Sequence, residues 1–246
     1  GSWQSAGRVD ISGGTLNLGG TFDTTNFGGF VSTGGTVRIT GNVDNVGRTI
    51  HLSATPGSWE LSNGTIHGGT LQIDAGESLI VAANTRNSRL DAVTVVGDID
   101  LTTATLWLND VAIDGRVTLT SDYYSRSTLA FEGTQTLSGH AEIVSSTGSY
   151  NNTVEMETAG ELTLGADVRI RGVGLSLGAS STFGVVMQRL INRGVIEADA
   201  SGWLLQVLAG TFINEGVVRV SGGTLNLSSA DTSNDTGGLF QVTSGT

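Results

Sequence analysis

Short phrases recur along this chain at intervals of about 20 residues, and a period of this kind restricts the fold more than any other feature. The phrase at 190–196 (Leu-Ile-Asn-Arg-Gly-Val-Ile) returns at 212–218 as Phe-Ile-Asn-Glu-Gly-Val-Val. The segments 90–102 and 108–120 also match one another position by position. A fixed period of this length is typical of a solenoid, in which each repeat is one coil that packs only on its neighbours.

Apolar and polar residues alternate within each repeat, as in Leu16-Asn17-Leu18 and Leu71-Gln72-Ile73. Alternation with period two indicates a strand that buries one face, and helical periodicity is nearly absent. A leucine-rich repeat needs a Leu-x-x-Leu-x-Leu-x-x-Asn pattern that is missing here, and a β-propeller needs a period of roughly 40 or more. The sequence therefore predicts an all-β, single-stranded parallel β-helix of about 11 coils, each of roughly 18–24 residues.

Several positions should form columns along such a solenoid. Glycine permits sharp turns because it adopts positive φ without steric cost, and we expect one column from Gly172, Gly194, Gly216 and Gly238, which recur at a constant interval. Asn192 and Asn214 share a repeat position and predict a short ladder of side-chain amides.

The chain is expected to form a single domain over residues 1–246. Its opening phrase at 7–18 is nearly repeated at 216–227, and neither end carries an amphipathic helix that would cap a solenoid. We therefore expect a segment of a longer rod, with Gly1-Ser2 as a cloning remnant.

Composition limits the classes of function. The net charge is −11, and all 12 basic residues are Arg. A negative surface with scattered arginines disfavours nucleic acid and anionic membranes, because phosphate binding needs clustered basic residues. There is no cysteine, which excludes disulfides, thiolate metal sites and a cysteine nucleophile. No apolar run is long enough for a membrane-spanning helix, so we expect no membrane insertion.

The repeats resemble those of large secreted and surface proteins of bacteria, in the filamentous-haemagglutinin and autotransporter-passenger group. The segments that carry this resemblance are 13–18, 90–101, 131–139, 192–195, 214–217 and 222–227. The resemblance implies a right-handed β-helix on the bacterial cell exterior that acts as a stalk or adhesin. It implies no catalytic residue, because the group shares none. We expect no cofactor, and the oligomeric state stays open.

An enzyme is the first alternative, because many β-helices are polysaccharide lyases, hydrolases or tailspikes. The galacturonase-like combination of Asn-Thr-Asp, Asp-Asp and Arg-x-Lys is missing. We therefore predict no catalytic residue, although a cleft lined by two carboxylates would favour the enzyme. An ice-binding rod is the second alternative, because Thr15, Thr36, Thr70 and Thr224 share a motif position. It ranks last, because the sequence does not sustain a flat Thr-x-Thr array.

Acidic pairs with period-two spacing are the candidates for a metal. Asp98 and Asp100 point to the same side of one strand and carry the oxygen ligands that Ca²⁺ prefers. Glu155 and Glu157 have the same spacing. Such pairs are more often solvated surface, so we predict no metal site and keep Asp98 and Asp100 as the candidate for Ca²⁺.

Aromatic residues are the candidates for binding. Trp107 should point outward between two inward leucines, and exposed tryptophans often mark contact sites. Tyr123 and Tyr124 lie in an irregular segment at 121–127, and Tyr150 lies in another at 145–153. In a solenoid such insertions emerge as loops from one face. We predict that these four rings contact a glycan or a neighbouring surface protein; alternatively, they cover the wall of the solenoid.

Overall fold

The structure, a computed structural model of the chain, describes residues 1–2, 7–26, 29–52, 58–147 and 151–245, with the backbone alone for residues 26 and 29–32. The strands up to residue 120 are β1 (Arg8–Leu18), β2 (Thr21–Asp23), β3 (Gly29–Ile39), β4 (Asn42–Asp44), β5 (Thr49–Leu52), β6 (Ser58–Leu61), β7 (Thr65–His67), β8 (Thr70–Ile73), β9 (Ser78–Val81), β10 (Ser88–Asp91), β11 (Thr94–Val96), β12 (Asp98–Thr102), β13 (Thr105–Asn109) and β14 (Ala112–Thr120). The later strands are β15 (Ser127–Phe131), β16 (Gln135–Leu137), β17 (Ala141–Ser145), β18 (Asn152–Met156), β19 (Glu161–Leu164), β20 (Arg169–Gly172), β21 (Leu175–Leu177), β22 (Arg189–Asn192), β23 (Val195–Ala198), β24 (Leu204–Val207), β25 (Thr211–Asn214), β26 (Val217–Val220), β27 (Thr224–Leu227), β28 (Asp231–Asn234) and β29 (Leu239–Val242).

The strands stack in parallel on three faces and form a β-solenoid of about ten turns. Sheet 1 runs β1-β3-β6-β9-β12-β14-β17-β20-β23-β26-β29, and sheet 2 runs β2-β4-β7-β10-β13-β15-β18-β21-β24-β27. The third face consists of β5, β8, β11 and the start of β14, followed by β16-β19-β22-β25-β28. The predicted all-β parallel solenoid is confirmed. Within the described ranges, no helix has the length and apolar character needed to cross a membrane.

The core is a stack of inward apolar side chains from successive coils. In β12, Ile99 and Leu101 are fully buried, and they pair with Val117 and Leu119 of the next coil. Each such aliphatic side chain contributes about 1.5–3 kcal/mol by leaving water. Apolar positions of the last strand of sheet 1 are exposed, namely Leu239, Phe240 and Val242.

Coil length varies along the rod. Ile99 pairs with Val117, whereas Ile143 pairs with Ile170, so the second of these coils is half as long again as the first. The offset between the matching segments 90–102 and 108–120 therefore corresponds to one coil. The predicted upper limit of roughly 24 residues was too low, because irregular segments after β14, β17 and β21 lengthen three coils.

Three of the four predicted glycines form a column. Gly194, Gly216 and Gly238 each precede a strand of sheet 1, and the first residues of those strands pair with one another. A Cβ atom at Gly194 or Gly216 would lie 2.0 or 2.3 Å from a carbonyl oxygen of the preceding coil. Gly172 was placed wrongly, because it pairs with Ser145 inside β20. The segment between β21 and β22 lengthens that coil, so the constant spacing fails there.

The predicted amide ladder is confirmed and is longer than expected. Asn192 Nδ2 donates to Asn214 Oδ1 at 2.8 Å, and Asn214 Nδ2 donates to Asn234 Oδ1 at 2.7 Å. Asn192 and Asn214 are fully buried, and the ladder pairs amide groups that would otherwise be costly to bury. Asn192 Oδ1, at the start of the ladder, has no hydrogen-bond partner among the described residues. Asn234 was missed because the coil that begins at Asn214 is shorter than the coil before it, which shifts the repeat position.

The four threonines of the ice-binding alternative do not form one array. Thr15 and Thr36 pair with each other in sheet 1, whereas Thr70 lies in β8 on the third face and Thr224 lies in β27 of sheet 2. The shared Gly-Gly-Thr phrase marks a corner of the solenoid, and different copies of the phrase occur at different corners. The shared motif position therefore does not place the four threonines on one face.

Candidate functional site

The described residues of the two irregular segments, 121–127 in the first and 145–147 with 151–153 in the second, lie side by side on adjacent coils. Asn151 Nδ2 donates to the carbonyl oxygens of Asp122 and Tyr123 at 2.9 and 3.2 Å. Both segments connect a strand of sheet 1 to a strand of sheet 2, at the same corner of the solenoid. The prediction that both loops emerge from one face is confirmed for their described residues.

An open groove of about 520 Å³ lies between the first loop, this corner of the coils and the segment 178–188. Ligand sites typically enclose about 300–1,000 Å³. Two guanidinium groups, from Arg86 and Arg126, and two phenol rings, from Tyr123 and Tyr124, contribute to the lining. Most of the other lining residues carry hydroxyl or amide groups, among them Asn84, Thr85, Thr103, Thr105, Thr128 and Asn151. None of the described lining residues is Asp or Glu.

The first loop presents its two tyrosine rings to solvent. Tyr123 is 81% exposed and Tyr124 is 92% exposed, and their ring centroids lie 5.1 Å apart with the planes nearly perpendicular. Asp122 Oδ1 accepts the backbone N–H groups of Tyr124 and Ser125 at 2.7 and 2.6 Å. This Asx turn ties the backbone of the loop to the side chain of Asp122, so the rings are presented by a hydrogen-bonded turn. Tyr150 lies outside the described residues.

Trp107 points outward as predicted but is not exposed. It lies between the buried Leu106 and Leu108 in β13, yet only 8% of it is accessible. The ring of Phe183 covers it, with centroids 4.7 Å apart, and its Nε1 donates to the carbonyl oxygen of Arg86 at 2.6 Å. The exposure predicted for Trp107 was therefore wrong. Its indole fixes the backbone beneath the groove instead of offering a contact face.

The segment 178–188 covers the outer face of sheet 2, and sequence reasoning missed it. Glu155, fully buried in β18, holds this segment through three hydrogen bonds. Its carboxylate accepts Ser181 Oγ at 2.7 Å, Thr182 N at 2.9 Å and Thr182 Oγ1 at 3.0 Å. Ser181 and Thr182 also line the groove, so the carboxylate that fastens the segment also builds one wall of the groove.

The opposite wall contains a strained corner. Asn63, Asn84 and Thr103 occur at this corner in successive coils, with φ of 54°, 62° and 50°. Asparagine tolerates this left-handed conformation, whereas the β-branched side chain of threonine opposes it. Asn84 and Thr103 line the groove, and backbone strain of this kind is concentrated at functional sites.

The arginines of the groove are fixed by neighbouring coils. Arg126 Nη1 donates to the carbonyl oxygen of Ser181 at 2.8 Å. The backbone N–H of Arg86 donates to Asn63 Oδ1 at 3.1 Å, and its carbonyl accepts the indole N–H of Trp107. No sequence motif marks these two arginines, because they are distant in the chain and meet only through the stacking of coils.

A pair of carboxylates lies outside the lining of the groove. Glu132 and Glu157, on successive coils, both contact the guanidinium of Arg89, which itself lies 5.1 Å from the ring centroid of Trp107. Burial raises the pKa of Glu157, and the charge of Glu132 adds to this effect against the attraction of Arg89. The two carboxylates share one cation, an arrangement that stabilises adjacent coils.

Sheet 1 carries a separate network of charges on its outer face. Burial by itself would raise the pKa of Glu142, but hydrogen bonds from Arg171 and Arg116 outweigh it, and the net pKa is lowered. The pKa of Glu197 is lowered in the same way, against its burial, by the hydroxyl of Ser221 and by a neighbouring arginine. These ion pairs connect neighbouring coils, and both carboxylates are hydrogen-bonded to groups of the protein.

The two carboxylates of the candidate Ca²⁺ pair, Asp98 and Asp100, accept hydrogen bonds from donors of the protein. Asp98 Oδ1 accepts the backbone N–H of Arg116 at 2.8 Å, and Asp100 Oδ2 accepts Ser78 Oγ at 2.6 Å. In the part of the chain that the structure describes, no three acidic or histidine side chains form a group that could hold a metal ion.

Comparison with protein-family models, with curated proteins and with solved structures found no match to this chain. The geometry of the groove is therefore the basis for a functional assignment.

Proposed function

We propose that this chain is a non-enzymatic rod segment of an extracellular or surface protein of bacteria, and that it binds carbohydrate in the groove beside Tyr123 and Tyr124. The observation that carries the proposal is the pairing of a polar, hydroxyl-rich groove with two exposed tyrosines on a hydrogen-bonded turn. Aromatic faces stack on the apolar faces of sugar rings, and hydroxyl and amide groups bond to sugar hydroxyls.

A binding role fits this groove better than hydrolysis. Cleavage of a glycosidic bond generally requires two carboxylates across the substrate, whereas the described lining contains no Asp or Glu. The buried carboxylate of Glu155, behind one wall, is occupied by three donors of the segment 178–188. The carboxylate of Asp122 is bonded to the amides of its own loop.

A stalk or adhesin is supported by the architecture. Each coil contacts its neighbours, so the number of coils sets the length of the rod, and identical surfaces can be repeated along it. The resemblance to bacterial surface repeats supports the location. We further propose that the exposed apolar positions of β29 pack against another coil of a longer solenoid.

The test is retention of the protein on an array of neutral and acidic glycans. Wild type should be retained, and the Tyr123→Ala/Tyr124→Ala variant should lose retention with an unchanged melting temperature, because both rings are exposed. The control is Val46→Ala, which removes an exposed apolar side chain in a remote turn and should behave as wild type. Failure of wild type to be retained on any glycan, or full retention of the double variant, would contradict the proposal.

Glycan cleavage is the second candidate function, and Glu132 and Glu157 are the residues that favour it. A glutamate with a raised pKa beside a second carboxylate is a candidate general acid. Incubation of the same glycans with wild type and Glu157→Gln, with the products analysed by chromatography, separates the two functions. Cleavage that disappears in the variant would favour the enzyme over the binding rod.

A further inference from the structure

We propose that the groove selects carbohydrates that carry carboxylate groups and that Arg86 and Arg126 bind those carboxylates. This inference rests on the proposed carbohydrate function and adds the class of ligand.

Most arginines of this acidic chain are neutralised. Nine form ion pairs with a carboxylate, namely Arg8, Arg38, Arg89, Arg116, Arg169, Arg171, Arg189, Arg193 and Arg219. Among the described residues, Arg48, Arg86 and Arg126 have no carboxylate within ion-pair distance. Two of these three line the groove, and none of the described residues that line it is acidic. The groove is therefore a locally cationic site on a protein with a net charge of −11.

Both guanidinium groups have N–H donors available for a ligand. Arginine has five N–H donors in a planar fork that matches a carboxylate. Arg126 uses one of them on the carbonyl oxygen of Ser181, which orients the side chain along the wall of the groove. Arg86 is held through its backbone by Asn63 and Trp107, so its side chain is free to meet a ligand.

The neighbouring groups favour an acidic sugar over a simple anion. Tyr123 and Tyr124 offer ring faces next to the cations, and threonine and asparagine side chains line the rest of the groove. A uronic or sialic acid combines a ring that stacks, hydroxyls that bond and a carboxylate that pairs with arginine. The net negative charge of the protein opposes a long, densely charged polymer, so we infer a short acidic oligosaccharide or isolated acidic residues.

The experiment compares charged and neutral forms of the same sugars. The probes are tetragalacturonate and sialyllactose, each compared with its own methyl ester, because esterification removes the carboxylate charge and keeps the sugar rings. The proteins are wild type, Arg86→Gln, Arg126→Gln and the double variant. Arg48→Gln is the matched control, because it removes the same charge from an exposed turn that contributes nothing to the groove.

We expect wild type to bind at least one acidic probe about tenfold more tightly than its neutral partner, as loss of one charge-assisted contact predicts. Arg86→Gln, Arg126→Gln and the double variant should lose this roughly tenfold preference for the acidic probe, and Arg48→Gln should keep it. Binding of the acidic probe should weaken as salt is raised from about 50 to about 500 mM, as expected for exposed charges.

The outcomes separate this inference from the function on which it rests. Equal binding of acidic and neutral probes that depends on Tyr123 and Tyr124 but not on the arginines would overturn the inference and leave carbohydrate binding intact. No binding of any acidic or neutral glycan would overturn both. Tighter, arginine-dependent binding of a single-stranded oligonucleotide than of any acidic sugar would replace the carbohydrate with a phosphate ligand.

Discussion

Truncation of Glu155 should release the segment 178–188 from sheet 2 and expose Trp107. The carboxylate accepts three hydrogen bonds from Ser181 and Thr182, and Glu155→Ala removes all of them. Glu155→Gln is the matched variant. Serine and threonine hydroxyls can accept as well as donate, so an amide nitrogen in place of Oε1 can donate to both hydroxyls, and the remaining oxygen can still accept the N–H of Thr182.

The expected change in the free energy of unfolding follows from two contributions. Hydrogen bonds to a charged group contribute about 1.5–3 kcal/mol each, so the three bonds outweigh what remains, namely the hydrogen bond from Arg126 to the carbonyl oxygen of Ser181 and the apolar contact between Phe183 and Trp107. That contact is roughly half of the ~200 Å² of an indole, which gives about 2.5 kcal/mol at ~25 cal/mol per Å². The segment can detach while the coils stay folded. Its hydrogen-bond donors are then hydrated, which offsets part of the loss. The free energy of unfolding should therefore fall by only about 2–4 kcal/mol in Glu155→Ala. Glu155→Gln should cost about 1 kcal/mol.

Tryptophan fluorescence is the assay. In a background where Trp3, Trp59 and Trp203 are replaced by Phe, Trp107 is the only emitter. Its emission should move to longer wavelength and become accessible to acrylamide in Glu155→Ala but not in Glu155→Gln. An unchanged emission maximum in Glu155→Ala would refute the idea that this carboxylate fastens the segment.

Two further predictions concern the rod. Asn214→Ala should lower the free energy of unfolding by about 2 kcal/mol, because it removes two ladder hydrogen bonds of about 1 kcal/mol each at a fully buried position. Asn234→Ala, at the exposed end of the ladder, should cost less than about 1 kcal/mol. Equal urea midpoints for the two variants would contradict the ladder's contribution. The pKa of Glu142 is lowered in the folded state, so its contribution to stability is complete above the ordinary value of 4.5 and is lost as the pH falls through the lower, folded-state value. Urea midpoints measured from pH 7 to 3 should therefore fall less steeply in Glu142→Gln than in wild type, while an identical slope would show that the lowered pKa is absent.

Local sequence was sufficient to predict the stacked coils. Alternation with period two determines which side chains of a strand face inward, and the offset from Leu90 to Leu108 reproduces the observed register. The amide ladder could be predicted for the same reason, since Asn192 and Asn214 occupy equal positions in successive coils. Gly172 shows the limit, because a period read from sequence fails wherever an inserted segment changes the length of a coil.

The sequence by itself determined the strands, the parallel stacking and the position of the loop that carries Tyr123 and Tyr124. Only the tertiary structure decided what covers Trp107 and which arginines are free. Alternation reports the side of the wall on which a side chain lies, but it carries no information about a segment that returns from a distant coil, as Phe183 does. The groove exists because residues that are distant in the chain meet across stacked coils, and such proximity is fixed by packing and not by local pattern.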